Sequence, residues 1–148
     1  MKKIIYTAGS FDILNEGHIN LLQGAKNLGD YLIVGISTNK LIKSYKMINP
    51  VMTLKERMKI VKSLRFVDKV IIQKSFFDVK QLKKYGINVI VLGSDWEHKD
   101  FPALTYAKGI LKLSVVYLPY TQSTSSSNIK RRIIKQAVEI LEAQNKRK

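Results

Sequence analysis

Two hydrogen-bonding side chains, Asn15 and His18, stand three residues apart in the stretch GSFDILNEGHIN, residues 9 to 20. Gly9 lets a backbone approach a ligand closely, and Gly17 lets the next helix begin tightly with His18 in its first turn. Backbone amides at a helix N-terminus attract negative charge. His18 and Asn15 can each donate to a phosphate oxygen. The chemistry open to such a group is the holding of a phosphate. The same residues also make an ordinary capped turn, because Asp12 and Asn15 are common turn formers and His18 can sit on a helix surface.

Two other segments carry reactive side-chain types. Asp95 and Trp96 directly follow an apolar run, and Ser125 and Ser126 directly precede a helical pattern. Serine hydroxyls there cap the helix, and capping is compatible with binding a phosphate. His98 has no second histidine or cysteine at ligand spacing, which argues against zinc. The chain contains no cysteine, so disulfides, thiolate catalysis and cysteine-based metal sites are excluded together.

The elements that must position these residues can be read from hydrophobic patterning. Apolar runs at Ile4 to Thr7, Tyr31 to Ile36, Lys69 to Ile72, Val89 to Leu92 and Val115 to Leu118 predict five strands. Near-continuous apolar runs suit a parallel sheet covered on both faces. Helices are expected from about Gly17 to Leu28, stopping at Gly29 as a left-handed cap, and from a Thr53–Glu56 capping box onward. Two more are expected around Asp78 to Tyr85, ending at Gly86, and from about Ser127 to Ala143. Residues 39 to 52, 93 to 103 and 120 to 126 are the least regular. Alternating strands and helices predict a single α/β domain over residues 1–148, a three-layer, Rossmann-like fold with a five-stranded parallel sheet. Ligands in such sheets sit at the carboxyl ends of the strands. Residues 9 to 18, 93 to 99 and 120 to 128 all follow strands, so they are expected to converge.

The motifs resemble those of the cytidylyltransferase-like nucleotidyltransferases. GSFDILNEGH is similar to that family's G-[ST]-F-D-x-x-H-x-G-H motif, and LKERMKIVKSLRFVDKVI (54 to 71) to its E-x-R helix and R-x-V-D-x-V strand. INVIVLGSDWEHK (87 to 99) resembles the G-D-D-W-x-x-K segment of glycerol-3-phosphate cytidylyltransferases. VVYLPYTQSTSSSNIK (115 to 130) resembles their C-terminal segment. The resemblance implies an HxGH-type nucleotidyltransferase that moves CMP from CTP to a phosphorylated small alcohol, glycerol 3-phosphate first among them, with release of pyrophosphate. An adenylyltransferase using ATP on a sugar phosphate or cofactor precursor is the alternative, and a nucleotide-binding pseudoenzyme is another.

On this resemblance His18, Asn15, Lys46 and Arg57 are expected to be catalytic. Gly9, Ser10, Phe11, Asn15, His18, Asp95, Ser125 and Ser126 are expected to hold the nucleotide. Arg65, Asp68 and Lys43 are expected at the acceptor. Lys43 and Lys46 compete for the place of the family's loop lysine, and an external salt bridge is the other reading of Arg57. No metal-ligating residues are expected; Mg²⁺ is expected to arrive with the triphosphate. The resemblance also implies a homodimer.

The chain departs from the family at two places. Asn15 stands for the first histidine of the motif and keeps a donor but cannot become cationic. Tyr120 stands for an arginine, whose charge and planar fork a tyrosine does not reproduce.

Bulk composition limits the partners. The 148 residues carry a net charge of +15, which favours nucleic acid, acidic membrane surfaces or small anions. No interleaving of aromatic and basic residues suggests a nucleic-acid platform, so none is expected. No apolar run reaches the roughly 20 residues of a membrane span, and no secretory signal opens the sequence, so a cytoplasmic protein is expected. Seven basic residues against Glu139 and Glu142 make the stretch from Lys130 to Lys148 a basic end, read as a solvated helix face.

Overall fold

The computed structural model describes residues 1–147; Lys148, counted above with the basic end, lies outside them. Five strands, β1 (Ile4–Gly9), β2 (Tyr31–Ser37), β3 (Lys69–Gln73), β4 (Val89–Gly93) and β5 (Ser114–Leu118), form one sheet in the order β3-β2-β1-β4-β5. All pairings are parallel. Side chains alternate between two apolar layers, as the period of two requires. Ile5, Leu32, Val34 and Val91 face one layer, while Tyr6, Ile33, Ile90 and Leu92 face the other.

Helices α1 (Glu16–Lys26) and α3 (Leu54–Lys62) contribute Leu22, Ala25 and Val61 to the first layer. Helices α4 (Val79–Lys84) and α5 (Pro102–Leu111) contribute Leu82, Leu104 and Ala107 to the second. The expected three-layer α/β architecture is what the chain adopts. Thr53 caps α3 by accepting from the Glu56 amide, and Glu56 accepts in return from the Thr53 amide at 2.8 Å.

Gly29 is not a left-handed cap: Asn27 ends α1 in a right-handed conformation, and Gly86 is the glycine with positive φ. Gly29 instead serves close approach, because a Cβ there would lie 2.7 Å from both Ile5 Cγ1 and Lys3 O. The stretch read as irregular from residue 39 begins with a helix, α2 (Asn39–Lys46), and α5 forms just beyond the irregular stretch 93 to 103, where no helix was expected. Helix α2 is short and fully buries only Ile42, with Leu41 and Tyr45 half-buried beside it. Its start is set by Thr38, whose hydroxyl accepts from Leu41 N at 3.2 Å. The last helix, α6 (Ser126–Asn145), buries none of its residues. No helix of the described residues is long and apolar enough to cross a membrane.

The topology places the site. Strand order reverses between β1 and β4, and these two strands pair only at Ile5–Val89 and Tyr6–Ile90 before diverging. The gap at their carboxyl ends is the switch point where such sheets bind ligands.

Candidate active site

A cleft of about 460 Å³ opens at that switch point. It is lined by the end of β1 and the turn after it, by Gly93 to Trp96 after β4, and by Pro119 to Ser127 after β5. The three expected segments therefore meet. Helices α1 and α6 both begin at this cleft, so two sets of free helix amides share one space.

The turn after β1 is held in an unusual backbone shape. Phe11 and Ile13 both adopt positive φ, 48° and 52°, which non-glycine residues rarely do. Asp12 between them is 3% exposed. It accepts from the amides of Val51 and Met52 at 2.9 Å each and pairs with Lys130 Nζ at 2.9 Å. Burial pushes its carboxyl up, but those two amides and Lys130 outweigh it and hold the pKa below the usual carboxylate value. Ser126 Oγ donates to the Asp12 carbonyl. One aspartate thus joins the first turn, the loop before α3 and helix α6. Sequence reading treated Asp12 only as a turn former, although its place in the GSFD motif was the available signal.

Asn15 caps α1: its Oδ1 accepts from Gly17 N at 3.0 Å. Its amide donates to Ile13 O at 3.0 Å and lies 3.4 Å from Ser126 Oγ. Both amide protons are therefore engaged within the protein, and the donor expected to reach a phosphate is a structural tie. Asn15 N also donates to His18 Nδ1 at 3.2 Å. An acceptor Nδ1 leaves the ring proton on Nε2. Burial first, then the charge of Lys46, lowers the His18 pKa to about 4, against a smaller raising effect of Asp12. His18 is thus a neutral Nε2–H donor at the cleft.

Of the two candidate lysines, Lys46 lines the cleft and its Nζ lies 3.4 Å from Ser10 Oγ, while Lys43 is exposed on α2 away from the lining. Burial, and then the charge of Lys130, lowers the Lys46 pKa.

Arg57 is not at the cleft and makes no external salt bridge. It is completely buried. Nη1 donates to Ser10 O at 2.7 Å and Ser37 O at 2.9 Å, Nη2 to Asn39 Oδ1 at 2.7 Å, and Nε to Met52 O at 3.2 Å. Its guanidinium fork clamps four segments from behind, so it is a positioning residue rather than a group that touches substrate. Burial lowers its pKa from the usual value, while Asp12 and Tyr45 act in the raising direction. A guanidinium stays protonated nonetheless.

Arg65 and Asp68 are carried away from the cleft, to the amino ends of the strands. Arg65 is an exposed turn residue before β3. Asp68 pairs with Lys26 Nζ at 2.6 Å and accepts from Leu32 N at 2.7 Å. Within one chain neither is brought to the site expected to take the acceptor.

The other wall is aromatic. Trp96 follows β4 in a single 3-10 turn, and its ring packs against Phe101 and Tyr45, with Phe76 behind them. Lys99 Nζ stands 4.3 Å over the Trp96 ring, adding a second cleft lysine that sequence reading did not single out. Asp95 is the only carboxylate among the lining residues. Its Oδ1 lies over Gly93, where a Cβ would fall far inside contact distance. Ser125 caps α6 by accepting from Asn128 N at 3.1 Å. Tyr120 lines the cleft, and its amide donates to Ser94 Oγ at 3.0 Å.

Among the described residues no three His, Asp or Glu side chains gather to hold a metal ion. The lining therefore provides one carboxylate and several hydroxyls. That donor set suits Mg²⁺ whose shell is completed by phosphate oxygens and water.

Comparison with known proteins agrees with the geometry. Residues 6–132 match the cytidylyltransferase-like family. The chain is 41% identical over 134 residues to the glycerol-3-phosphate cytidylyltransferase of Bacillus subtilis, covering 90% of this chain and 98% of that one. It is 35% identical over 139 residues to an FAD synthase of Korarchaeum cryptofilum, covering 91% and 94%. Among solved structures, a lipopolysaccharide core biosynthesis protein from Thermoplasma volcanium superposes with a TM-score of 0.68 at 25% identity, covering 82% of this chain and 98% of that one.

Proposed function

Because the chain belongs to the cytidylyltransferase-like family, we propose that it transfers CMP from CTP to a small phosphorylated alcohol, glycerol 3-phosphate in the first instance, and releases pyrophosphate. The observation that carries this reading is the neutral Nε2–H of His18, set beside Lys46 where α1 and α6 both begin. An oxygen of the acceptor phosphate attacks the α-phosphorus and forms a new P–O bond. The bond from that phosphorus to the oxygen bridging the β-phosphate breaks, and pyrophosphate leaves with the electron pair. No covalent intermediate on the protein is needed, so positioning and positive charge carry the rate.

In this reading the helix amides and Ser125 hold the triphosphate, and His18 and Lys46 meet charge developing on the leaving oxygens. Asp95 hydrogen-bonds the nucleoside. Lys99 and the aromatic wall border the space left for the acceptor. Asp95 and the cleft hydroxyls would help hold a Mg²⁺ bound to the triphosphate, and that ion would supply neutralisation of the phosphate charge. The cysteine-free composition supports a cytoplasmic setting, and the protein acts as a homodimer.

The deciding experiment measures pyrophosphate release with CTP and with ATP, each against a panel of phosphorylated alcohols and sugars. Turnover with CTP and glycerol 3-phosphate is expected. Turnover with ATP alone would overturn the reading in favour of an adenylyltransferase. Nucleotide binding with no turnover on any acceptor would identify a pseudoenzyme.

A further inference from the structure

One wall of the cleft lies on the face of the sheet away from α1. Ser37 and Gln73 are register partners at the carboxyl ends of β2 and β3. Ser37 is four residues on from Ile33 and Gln73 two on from Ile71, so both side chains face the layer of α4 and α5. They are 1% and 2% exposed, and both line the cleft as its floor. Around them stand Tyr45, Phe76, Phe77, Trp96 and Phe101. Phe77 takes a positive φ of 50°, and this bend lets neighbouring Phe76 and Phe77 both pack on Phe101, with ring centroids 4.9 and 5.4 Å away.

The buried protons of this floor can be counted. Tyr6 Oη donates to Gln73 Oε1 at 2.8 Å, and Gln73 Nε2 donates to Ser37 Oγ at 3.1 Å. Tyr6 fixes the direction of this relay. Burial, and then the charge of Asp78, raises its pKa, so it stays a neutral phenol. Its oxygen is pressed against Gly35, where a Cβ would clash, and among the described residues its proton has no acceptor but Gln73. The Gln73 amide therefore turns its oxygen to Tyr6 and its nitrogen to Ser37. One Gln73 N–H and the Ser37 O–H are left without an acceptor among the described residues. Buried donors are normally satisfied, so a pair left open at a cleft floor points to a ligand.

We propose, resting on the reading of the cleft as a nucleotidyl-transfer site, that Ser37 and Gln73 bind a hydroxyl of the acceptor and restrict it to polyol phosphates over amino-alcohol phosphates. A hydroxyl both accepts and donates, and the floor offers two free protons together with lone pairs on Ser37 Oγ and Gln73 Oε1. An ammonium only donates, and would leave both buried donors unpaired. The rings that would attract a cation, Trp96 and Tyr45, already have Lys99 Nζ at 4.3 Å and Lys46 Nζ at 5.9 Å. Asp95, the only carboxylate in the lining, follows β4, two strand spacings or about 10 Å from β2. The two lysines draw the acceptor's phosphate to themselves, which directs its hydroxylated end to the floor.

The test measures binding of glycerol 3-phosphate, n-propyl phosphate and ethanolamine phosphate by calorimetry, with α,β-methylene-CTP present and absent. The wild type is expected to hold glycerol 3-phosphate about tenfold or more tighter than either analogue. Two variants are compared, Ser37→Ala and Tyr6→Phe/Gln73→Leu; the double substitution leaves no buried phenol orphaned. In each, once circular dichroism shows it folded, the preference over n-propyl phosphate should collapse toward unity. A merely structural role would weaken all three ligands alike, and an unchanged ratio in the folded variants would overturn the proposal. So would a wild type that binds n-propyl phosphate or ethanolamine phosphate as tightly as glycerol 3-phosphate. CMP transfer is scored separately. A wild type that keeps the preference but transfers no CMP sinks the transfer reading alone. One that transfers CMP while the variants leave the ratio unmoved sinks the hydroxyl site alone.

Discussion

The backbone amide of Asn15 donates to His18 Nδ1 at 3.2 Å, and this bond decides what the histidine can do. It fixes the ring as the Nε2–H tautomer and turns a residue of ambiguous chemistry into a committed donor. His18→Ala is expected to lower kcat by about 10²–10³, the loss seen when one transition-state donor is removed. Steady-state pyrophosphate release checks it. A variant that retains full turnover would remove His18 from the mechanism.

Titration supplies a second readout. The folded ring has a pKa of about 4, below its ordinary value, so the unfolded chain takes up the proton first as pH falls. Stability contributed by this difference is complete above about pH 6.5 and declines down to about pH 4. Imidazole NMR of the unliganded protein should show Nε2–H at neutral pH and a titration near 4. Denaturant unfolding of His18→Gln should have a flatter pH dependence through that window.

Asp12 acts in the next window down. Its carboxyl is held below the usual value, so the stability it contributes is present at neutral pH and drains away as pH falls below about 4. Asp12→Asn is expected to remove that acid slope. It should cost about 1–3 kcal/mol at neutral pH through the weakened contacts to Lys130, Val51 and Met52. Urea unfolding from pH 3 to 7 measures both effects.

Arg57→Lys keeps the charge but cannot satisfy Ser10 O, Ser37 O, Asn39 Oδ1 and Met52 O together. Leaving buried acceptors unpaired costs about 1–3 kcal/mol each. The variant is expected to lose both stability and kcat. Thermal unfolding and turnover should fall together, whereas loss of kcat with unchanged stability would mean that Arg57 reaches the substrate.

Gly93→Ala places a Cβ where Asp95 Oδ1 now lies and forces that carboxylate out of position. The expected result is a raised KM for the nucleotide with little change in the acceptor KM. Initial rates with each substrate varied in turn provide the test.

The sheet was legible because five apolar runs carry its signal, and the Thr53–Glu56 box announced α3. Helix α2 was not, because five of its eight residues are polar and so short a stretch reads as a loop despite Leu41, Ile42 and Tyr45 sharing a face. At the site, sequence spacing located the three converging segments but could not assign side chains to faces. Arg57 looked like a cleft cation because its motif position is definite. Only the packing shows its fork turned inward to backbone carbonyls. Asn15 was legible as a donor, whereas its protons go to Ile13 O, in a turn bent by two positive-φ residues, and to Ser126 Oγ, 111 residues away at the start of α6. Arg65 and Asp68 precede a strand, so parallel topology alone sends them to the end opposite the cleft.

The Arg57 clamp divides the cleft into two banks of different adaptability. One bank, Ser10 to His18 with Lys46, is bolted to the sheet through a single guanidinium and a single aspartate, and a change there disturbs several segments at once. The facing bank, from Gly93 to Phe101 and from Pro119 to Thr124, hangs on lighter local contacts such as Tyr120 N to Ser94 Oγ. Redesign of base or acceptor choice should therefore begin at Lys99 and Tyr120, where variation leaves the phosphate machinery standing.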